Sequence, residues 1–320
     1  MDSLTGDCGG KMRCMVRLIR LARLHFLLAG LALFILGASW AILLGAPFSP
    51  LRLLLGYLVF FPAHLSVSYS NDYFDVAADR HSTPGLFSGG SGILVNHPEL
   101  RKPAKWIALA LIGCSLAMGI LFAVIYSAQL WFLGYVLVGN LLGWFYSAPP
   151  LRLAYRGLGE LATTITAGLL APGMGYLVAR GYLDRQWWLL ALPLPLYGLA
   201  FILSVEIPDE EADRLGGKRT AVVRWGRRFA FTAIGVLYFL ATCYFFSMAW
   251  LCSRTDPLDW NVPGLLSLLP LGAGIVGACT RPTQKQPATR MANAILITLM
   301  VFVVLMDGYL IGLAAHWLKP

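Results

Sequence analysis

The sequence predicts an all-α integral membrane protein, a bundle of nine transmembrane helices, and three observations carry that prediction. Of 320 residues, 58% are hydrophobic and only 13% are charged, whereas soluble domains carry roughly a quarter charged residues. Nine apolar stretches approach the ~20 residues that a helix needs to cross the hydrocarbon core. They lie near 24–46, 51–70, 104–126, 129–147, 157–179, 186–206, 228–251, 262–279 and 290–317. Finally, 20 of the 25 Lys and Arg fall on the N-terminus and every second loop, leaving Arg52, Arg180, Arg185, Arg254 and Lys319 for the other side. That bias puts the N-terminus and the loops it marks in the cytoplasm. The net charge of +9 is therefore a topological signal. Membrane lipids are the expected surroundings, and no nucleic-acid partner is expected.

In chain order, residues 1–17 are expected to form a disordered tail ahead of a single transmembrane domain over 18–320. The stretch 13–25 is basic with interleaved Leu and Ile, suited to an anionic leaflet surface. The first apolar run is too long for a cleaved signal peptide and is read as a retained helix. The six cysteines show neither CxxC nor metal-ligand spacing. Those in apolar spans pack as small hydrophobes.

The second span runs into Asn71-Asp72-Tyr73-Phe74-Asp75-Val76-Ala77-Ala78-Asp79. If the helix continues through it, Asn71, Asp75 and Asp79 share a face, with Asp72 one step round. Like charges crowded beside a hydrocarbon boundary are costly unless a cation neutralises them. Oxygen ligands of this kind suit Mg²⁺, which commonly bridges carboxylates to a substrate's phosphates. His64 and Ser68 lie on nearly the same face as Asp75. The following loop, Pro84-Gly85-Leu86-Phe87-Ser88-Gly89-Gly90-Ser91-Gly92, has glycines that allow tight turns and close approach to an anion. It reads either as a lid or diphosphate cradle, or as a plain flexible loop.

The fourth span ends in Tyr146-Ser147-Ala148-Pro149-Pro150-Leu151-Arg152, where the prolines stop the helix. Asn140 and Glu160 are polar within spans and serve either as interhelical glue or as site groups. After the sixth span comes Glu206-Ile207-Pro208-Asp209-Glu210-Glu211-Ala212-Asp213, followed by Arg214, Lys218 and Arg219. Asp209 and Asp213 are four apart, so this helix end can face the first. A topogenic signal needs bases but no acids. The mixture is what a metal–diphosphate site requires, carboxylates for cations and Lys or Arg for phosphate oxygens. Asp307 is a lone acid inside the last span and has no place in this site.

These residues resemble the UbiA-type intramembrane prenyltransferases. Asn71-Asp72-x-x-Asp75-x-x-x-Asp79 matches their first signature. Asp209-x-x-x-Asp213, with Gly217-Lys218-Arg219-Thr220 and Val222-Val223-Arg224-Trp225-Gly226, is similar to their second. The segment 146–160 and Arg20-Leu21-Ala22-Arg23 also resemble family segments, with Leu24 where Pro is usual. The resemblance implies a central cavity roofed by cytosolic cap loops. It also implies Mg²⁺-dependent transfer of a polyprenyl chain from an isoprenyl diphosphate to a lipophilic aromatic acceptor. Asn71, Asp72, Asp75, Asp79, Asp209 and Asp213 are then expected to hold metal, two Mg²⁺ in all, with Asp72, Asp75 and Asp209 catalytic. Lys218, Arg219, Arg152 and Arg23 are the expected diphosphate ligands. Tyr146 is expected to shield an allylic cation with its ring face. The settings of Asp209 and of the 87–91 loop resemble the menaquinone-type branch, which acts on 1,4-dihydroxy-2-naphthoate. Other family acceptors are 4-hydroxybenzoate, homogentisate, chlorophyllide, haem and glycerol phosphates. The rival of a different class is a cation-coupled transporter, against which the acids cluster at one edge rather than at mid-membrane.

Overall fold

Residues 3–252 and 257–317 are described in this computed structural model, and every regular element among them is a helix. Arg254 and Lys319 lie outside the described residues. The helices are α1 (Ser3–Leu21), α2 (Leu24–Leu43), α3 (Pro50–Phe74), α4 (Arg101–Tyr126) and α5 (Leu130–Phe145). They continue as α6 (Gly159–Arg180), α7 (Arg185–Leu215), α8 (Ala221–Leu251), α9 (Asn261–Thr280) and α10 (Lys285–Trp317). Eight of these, α2–α4 and α6–α10, are long and apolar enough to cross a membrane. The remaining expected span is α5, an apolar helix of 16 residues. This is an all-α polytopic membrane bundle.

Three boundaries differ from the sequence reading. Residues 3–21 are helical, where composition pointed to a disordered tail over 1–17. The interleaved apolar residues explain the docking: Cys14, Leu18 and Leu21 pack beside α3, and the Tyr69 hydroxyl donates to Leu18 O at 2.9 Å. α8 begins at Ala221, ahead of the apolar run, because the Thr220 side chain caps it by accepting from Val223 N at 3.2 Å. A kink at Gly226 (φ 79°) then redirects it. α10 likewise starts at Lys285, ahead of its apolar run.

α2 packs on α6, α3 on α4 and α5, α8 on α7 and α9, and α10 returns from α9 to α2, closing a ring. Interhelical hydrogen bonds pin it. Asn140 Nδ2 in α5 donates to Ser115 Oγ in α4, which donates to Val59 O in α3, so the amide NH2 of Asn140 is glue, while its Oδ1 is buried without a partner. Ser267 Oγ in α9 donates to Thr242 Oγ1 in α8 at 2.9 Å. α6 carries a π-helical turn at Thr166–Leu170 beside Pro172, and the Tyr135 hydroxyl of α5 donates to Leu170 O in that turn at 2.9 Å.

The tightest seam joins α2 to α6. A Cβ on Gly37 would stand 1.7 Å from Pro172 O, and one on Gly175 would stand 1.8 Å from Phe34 O. Backbone meets backbone there, as small residues allow between membrane helices. Gly37→Val is expected to destabilise the detergent-solubilised protein by at least ~2 kcal/mol, read as earlier thermal unfolding. Gly272→Val in α9, where an added Cβ meets nothing within 4 Å, is the control expected to leave unfolding unchanged.

Candidate active site

A cavity of about 660 Å³ occupies the centre of the ring. Its apolar walls include Leu33 of α2, Val67 of α3, Leu142 of α5, Leu170 of α6, Phe201 of α7 and Val303 of α10. The two acidic stretches stand together at its head. α3 ends at Phe74, yet its register carries on: Asp75 N donates to Asn71 O at 2.8 Å and Asp79 N to Asp75 O at 2.9 Å. The short helix Val76–Asp79 therefore keeps Asn71, Asp75 and Asp79 on one face, and all three line the cavity with Asp72. His64 and Ser68 line it further down the same helix.

The second acidic stretch is sorted by a break in α7. Its helix runs to Glu206, tightens into a 3₁₀ turn over Ile207–Asp209 at Pro208, and resumes at Glu210–Leu215. Glu206, Asp209 and Asp213 face the cavity. Glu210 and Glu211 instead pair with arginines: Arg214 Nη2 to Glu210 at 2.7 Å and the buried Arg227 Nη2 to Glu211 at 2.6 Å. Arg227 also donates to Ile207 O at 2.9 Å and Thr283 O at 2.8 Å. It is a structural pin for the break.

Beyond Leu215 the chain turns back at Gly217 (φ 80°), and Lys218 N donates to Asp213 O at 2.9 Å. The Lys218 ammonium thereby reaches both acid groups, 3.1 Å from Asp75 Oδ2 and 3.2 Å from Asp213 Oδ1. Although burial opposes it, Asp75 and then Asp213 hold this ammonium well above the usual lysine range. Asp75 also accepts from the Ser147 hydroxyl at 3.0 Å and the Tyr155 hydroxyl at 2.9 Å. Burial and Asp75 push the Tyr155 phenol up to about 12, so it remains a donor at neutral pH. Ser147 and Tyr155 carry no spacing signal: Ser147 reaches Asp75 from just past the end of α5, and Tyr155 only through the turn that follows Pro150.

The glycine-rich loop closes over the acids. Gly89 N donates to Asp209 Oδ2 at 2.6 Å, and the Ser82 hydroxyl reaches the other oxygen at 3.4 Å. Ser91 gives both its N–H, at 3.2 Å, and its hydroxyl to Asp72 Oδ2. Arg23 Nη2 donates to Gly89 O at 2.9 Å. A side chain at position 90 would displace the Asp79 carboxylate, because a Cβ there would stand 1.9 Å from Asp79 Oδ2. Asp79 has the least help from donors. Burial, then Asp72 and Asp75, push its carboxyl up to about 7, the mark of a crowded acid group that a cation would relieve.

The remaining expected residues divide. Tyr146 lines the cavity facing Thr163 and Glu206, and burial and then Glu206 raise its phenol pKa. Arg152 and Arg219 are exposed and do not line the cavity. Arg152 stacks on the Tyr155 ring, 3.8 Å from its centroid, one residue removed from Asp75. Arg219 uses only its backbone N–H, toward Ala154 O. Glu160 is buried and caps α8, accepting from Ala221 N. Asp307 is buried but does not line the cavity. Among the described residues no three Asp, Glu, His or Cys form a ready-made metal shell. The acids are held by Lys218 and the loop instead. Mg²⁺ needs only one or two carboxylates plus waters and phosphates, and Asn71 Oδ1, buried without a hydrogen-bond partner, adds an unclaimed oxygen.

The sequence model of the UbiA prenyltransferase family matches residues 30–300. The 1,4-dihydroxy-2-naphthoate octaprenyltransferase of Bacillus subtilis (strain 168) is 26% identical over 178 residues, 55% of this chain and 56% of that protein. The UbiA prenyltransferase domain-containing protein 1 of Gallus gallus is 33% identical over 151 residues, 45% of each chain. The match thus spans about half the length of these curated relatives. A UbiA homolog from Archaeoglobus fulgidus, solved bound to GPP and Mg²⁺, shares the fold with a TM-score of 0.67 at 18% identity, over 93% of this chain and 99% of that one.

Proposed function

The chain belongs to the UbiA prenyltransferase family, and from that premise we propose that it transfers a polyprenyl group from an isoprenyl diphosphate to a lipophilic aromatic acceptor, with Mg²⁺. The observation that carries this reading is the meeting of two acid groups, from the ends of α3 and α7, on Lys218 at the head of an apolar cavity. Asn71, Asp72, Asp75 and Asp79 on one side, and Asp209 and Asp213 on the other, would hold two Mg²⁺. When bound, the ions neutralise the diphosphate as it leaves. Lys218 sits between the two groups and reaches phosphate oxygens there, and Arg23 does so from the loop side. Arg152 and Arg219 are exposed in this structure and are weaker diphosphate ligands. Tyr146 presents its ring to the allylic carbon, and the apolar walls keep water from it. We take 18–320 as one prenyltransferase domain with nine spans, counting α5, and with the N-terminus and the acidic end cytoplasmic, as the Lys and Arg distribution supports.

The acceptor we favour is 1,4-dihydroxy-2-naphthoate, on the likeness to the Bacillus subtilis octaprenyltransferase and the Glu206-Ile207-Pro208-Asp209 setting. Acids gathered at one end of the cavity, beside a lysine, argue against ion transport. Membranes carrying the protein, given labelled geranylgeranyl diphosphate, Mg²⁺ and a panel of aromatic acids, are expected to prenylate the naphthoate preferentially. Prenylation of 4-hydroxybenzoate alone would overturn the acceptor, and no transfer to any panel member would overturn the aromatic reading.

A further inference from the structure

The carboxylate of Glu206 is buried, with 4% of the residue exposed, and neither of its oxygens has a hydrogen-bond partner. It lines the central cavity. The groups around it are Glu160, Asp213, Lys218 and Tyr146, with the Val222 N–H pointing toward it outside hydrogen-bonding geometry. Glu160 is already committed to Ala221 N, Asp213 to Lys218, and Lys218 to Asp75 and Asp213. Of the carboxylates lining the cavity, Glu206 alone has both oxygens shut away and unclaimed. A buried polar group left so destabilises the fold. Burial alone gives no reason to keep an acid where an apolar side chain would pack, and a ligand that donates to it does.

Position decides which ligand. Glu206 stands three residues before Asp209, one 3₁₀ turn or about 6 Å deeper along α7. The metal-facing acids lie at the cavity head and the apolar walls below them. A group held at Glu206 is thus beneath the diphosphate and beside Tyr146, where the ring that receives the prenyl chain has to be. We infer that Glu206 is the acceptor-binding residue, its carboxylate taking a hydrogen bond from a ring hydroxyl, so that the acceptor class is hydroxylated aromatics. A phenolic O–H donating to a carboxylate also enriches its ring in electrons, which favours attack on the allylic carbon. The inference rests on the prenyl-transfer reading above and deepens it.

The test compares wild type with Glu206→Gln and Glu206→Leu, using 1,4-dihydroxy-2-naphthoate and its methyl ethers. Both variants are expected to raise the naphthoate KM, and its Kd by calorimetry in detergent, at least tenfold. The KM for geranylgeranyl diphosphate and the Mg²⁺ requirement should stay within twofold. Methylating the hydroxyl that Glu206 binds should cost wild type a similar factor and cost Glu206→Leu nothing. A merely structural acid predicts the opposite: higher thermal stability on substitution and an unchanged naphthoate KM and Kd, which would overturn the assignment. Failure of the wild type to prenylate any hydroxylated aromatic would overturn the parent reading, and this one with it. If Glu206→Leu fails to fold, the Glu206→Gln and methyl-ether data decide alone.

Discussion

Asp75→Asn and Asp209→Asn are each expected to lower Mg²⁺-dependent prenyl transfer by at least ~10²-fold, the scale on which one preorganised charge-stabilising group acts. Asparagine keeps the size of the side chain and one accepting oxygen while removing the charge, so a fall in turnover with the bundle intact reports the lost carboxylate. Asp75 is the more telling of the two, because the hydroxyls of Ser147 and Tyr155 and the ammonium of Lys218 all converge on it. Asp209 tests the other helix end independently, through an acid that otherwise meets only the loop. The measurement is labelled donor transfer in proteoliposomes, with thermal unfolding to verify an intact bundle. Wild-type turnover in both variants would remove the acids from the reaction.

The second large effect is expected from Lys218→Met. Its ammonium is the cation that both Asp75 and Asp213 contact, and breaking a buried pair by removing one partner costs ~3–5 kcal/mol. Thermal unfolding of the variant should therefore come earlier. Mg²⁺ should restore more stability to it than to wild type, since a second cation can then serve the stranded carboxylates. Transfer should fall ~10²-fold even with Mg²⁺ present, because the phosphate-facing charge is gone. A variant as stable and active as wild type would show that the lysine merely fills space.

Much of this was legible in the chain. Hydropathy set the helices, and the i, i+4 acids pointed to two helix ends that could face one another, as Asp75 and Asp213 do across Lys218. The four-residue period survived Asp75 because backbone hydrogen bonding continues through the break. What stayed hidden depends on distant segments. Nothing in the spacing links Ser147 or Tyr155 to Asp75 across 72 and 80 residues. Arg152 and Arg219 read as phosphate ligands by type, yet the backbone turns them outward. Arg227 read as one more topological charge, and it is a buried pin under the α7 break. Glu206 stood in plain view inside an acidic run. Burial without a paired arginine separates it from Glu210 and Glu211, which Arg214 and Arg227 hold.

The seam at Gly37 and Gly175 also sets a height. With backbones touching there, α2 cannot slide along α6 by even one residue, a step of about 1.5 Å. Arg23 tops α2 and holds Gly89 O at 2.9 Å, and Gly89 in turn holds Asp209. Two bare positions in mid-bundle thus act as a datum from which the roof is levelled, so a substitution far from any charged group would tilt the lid.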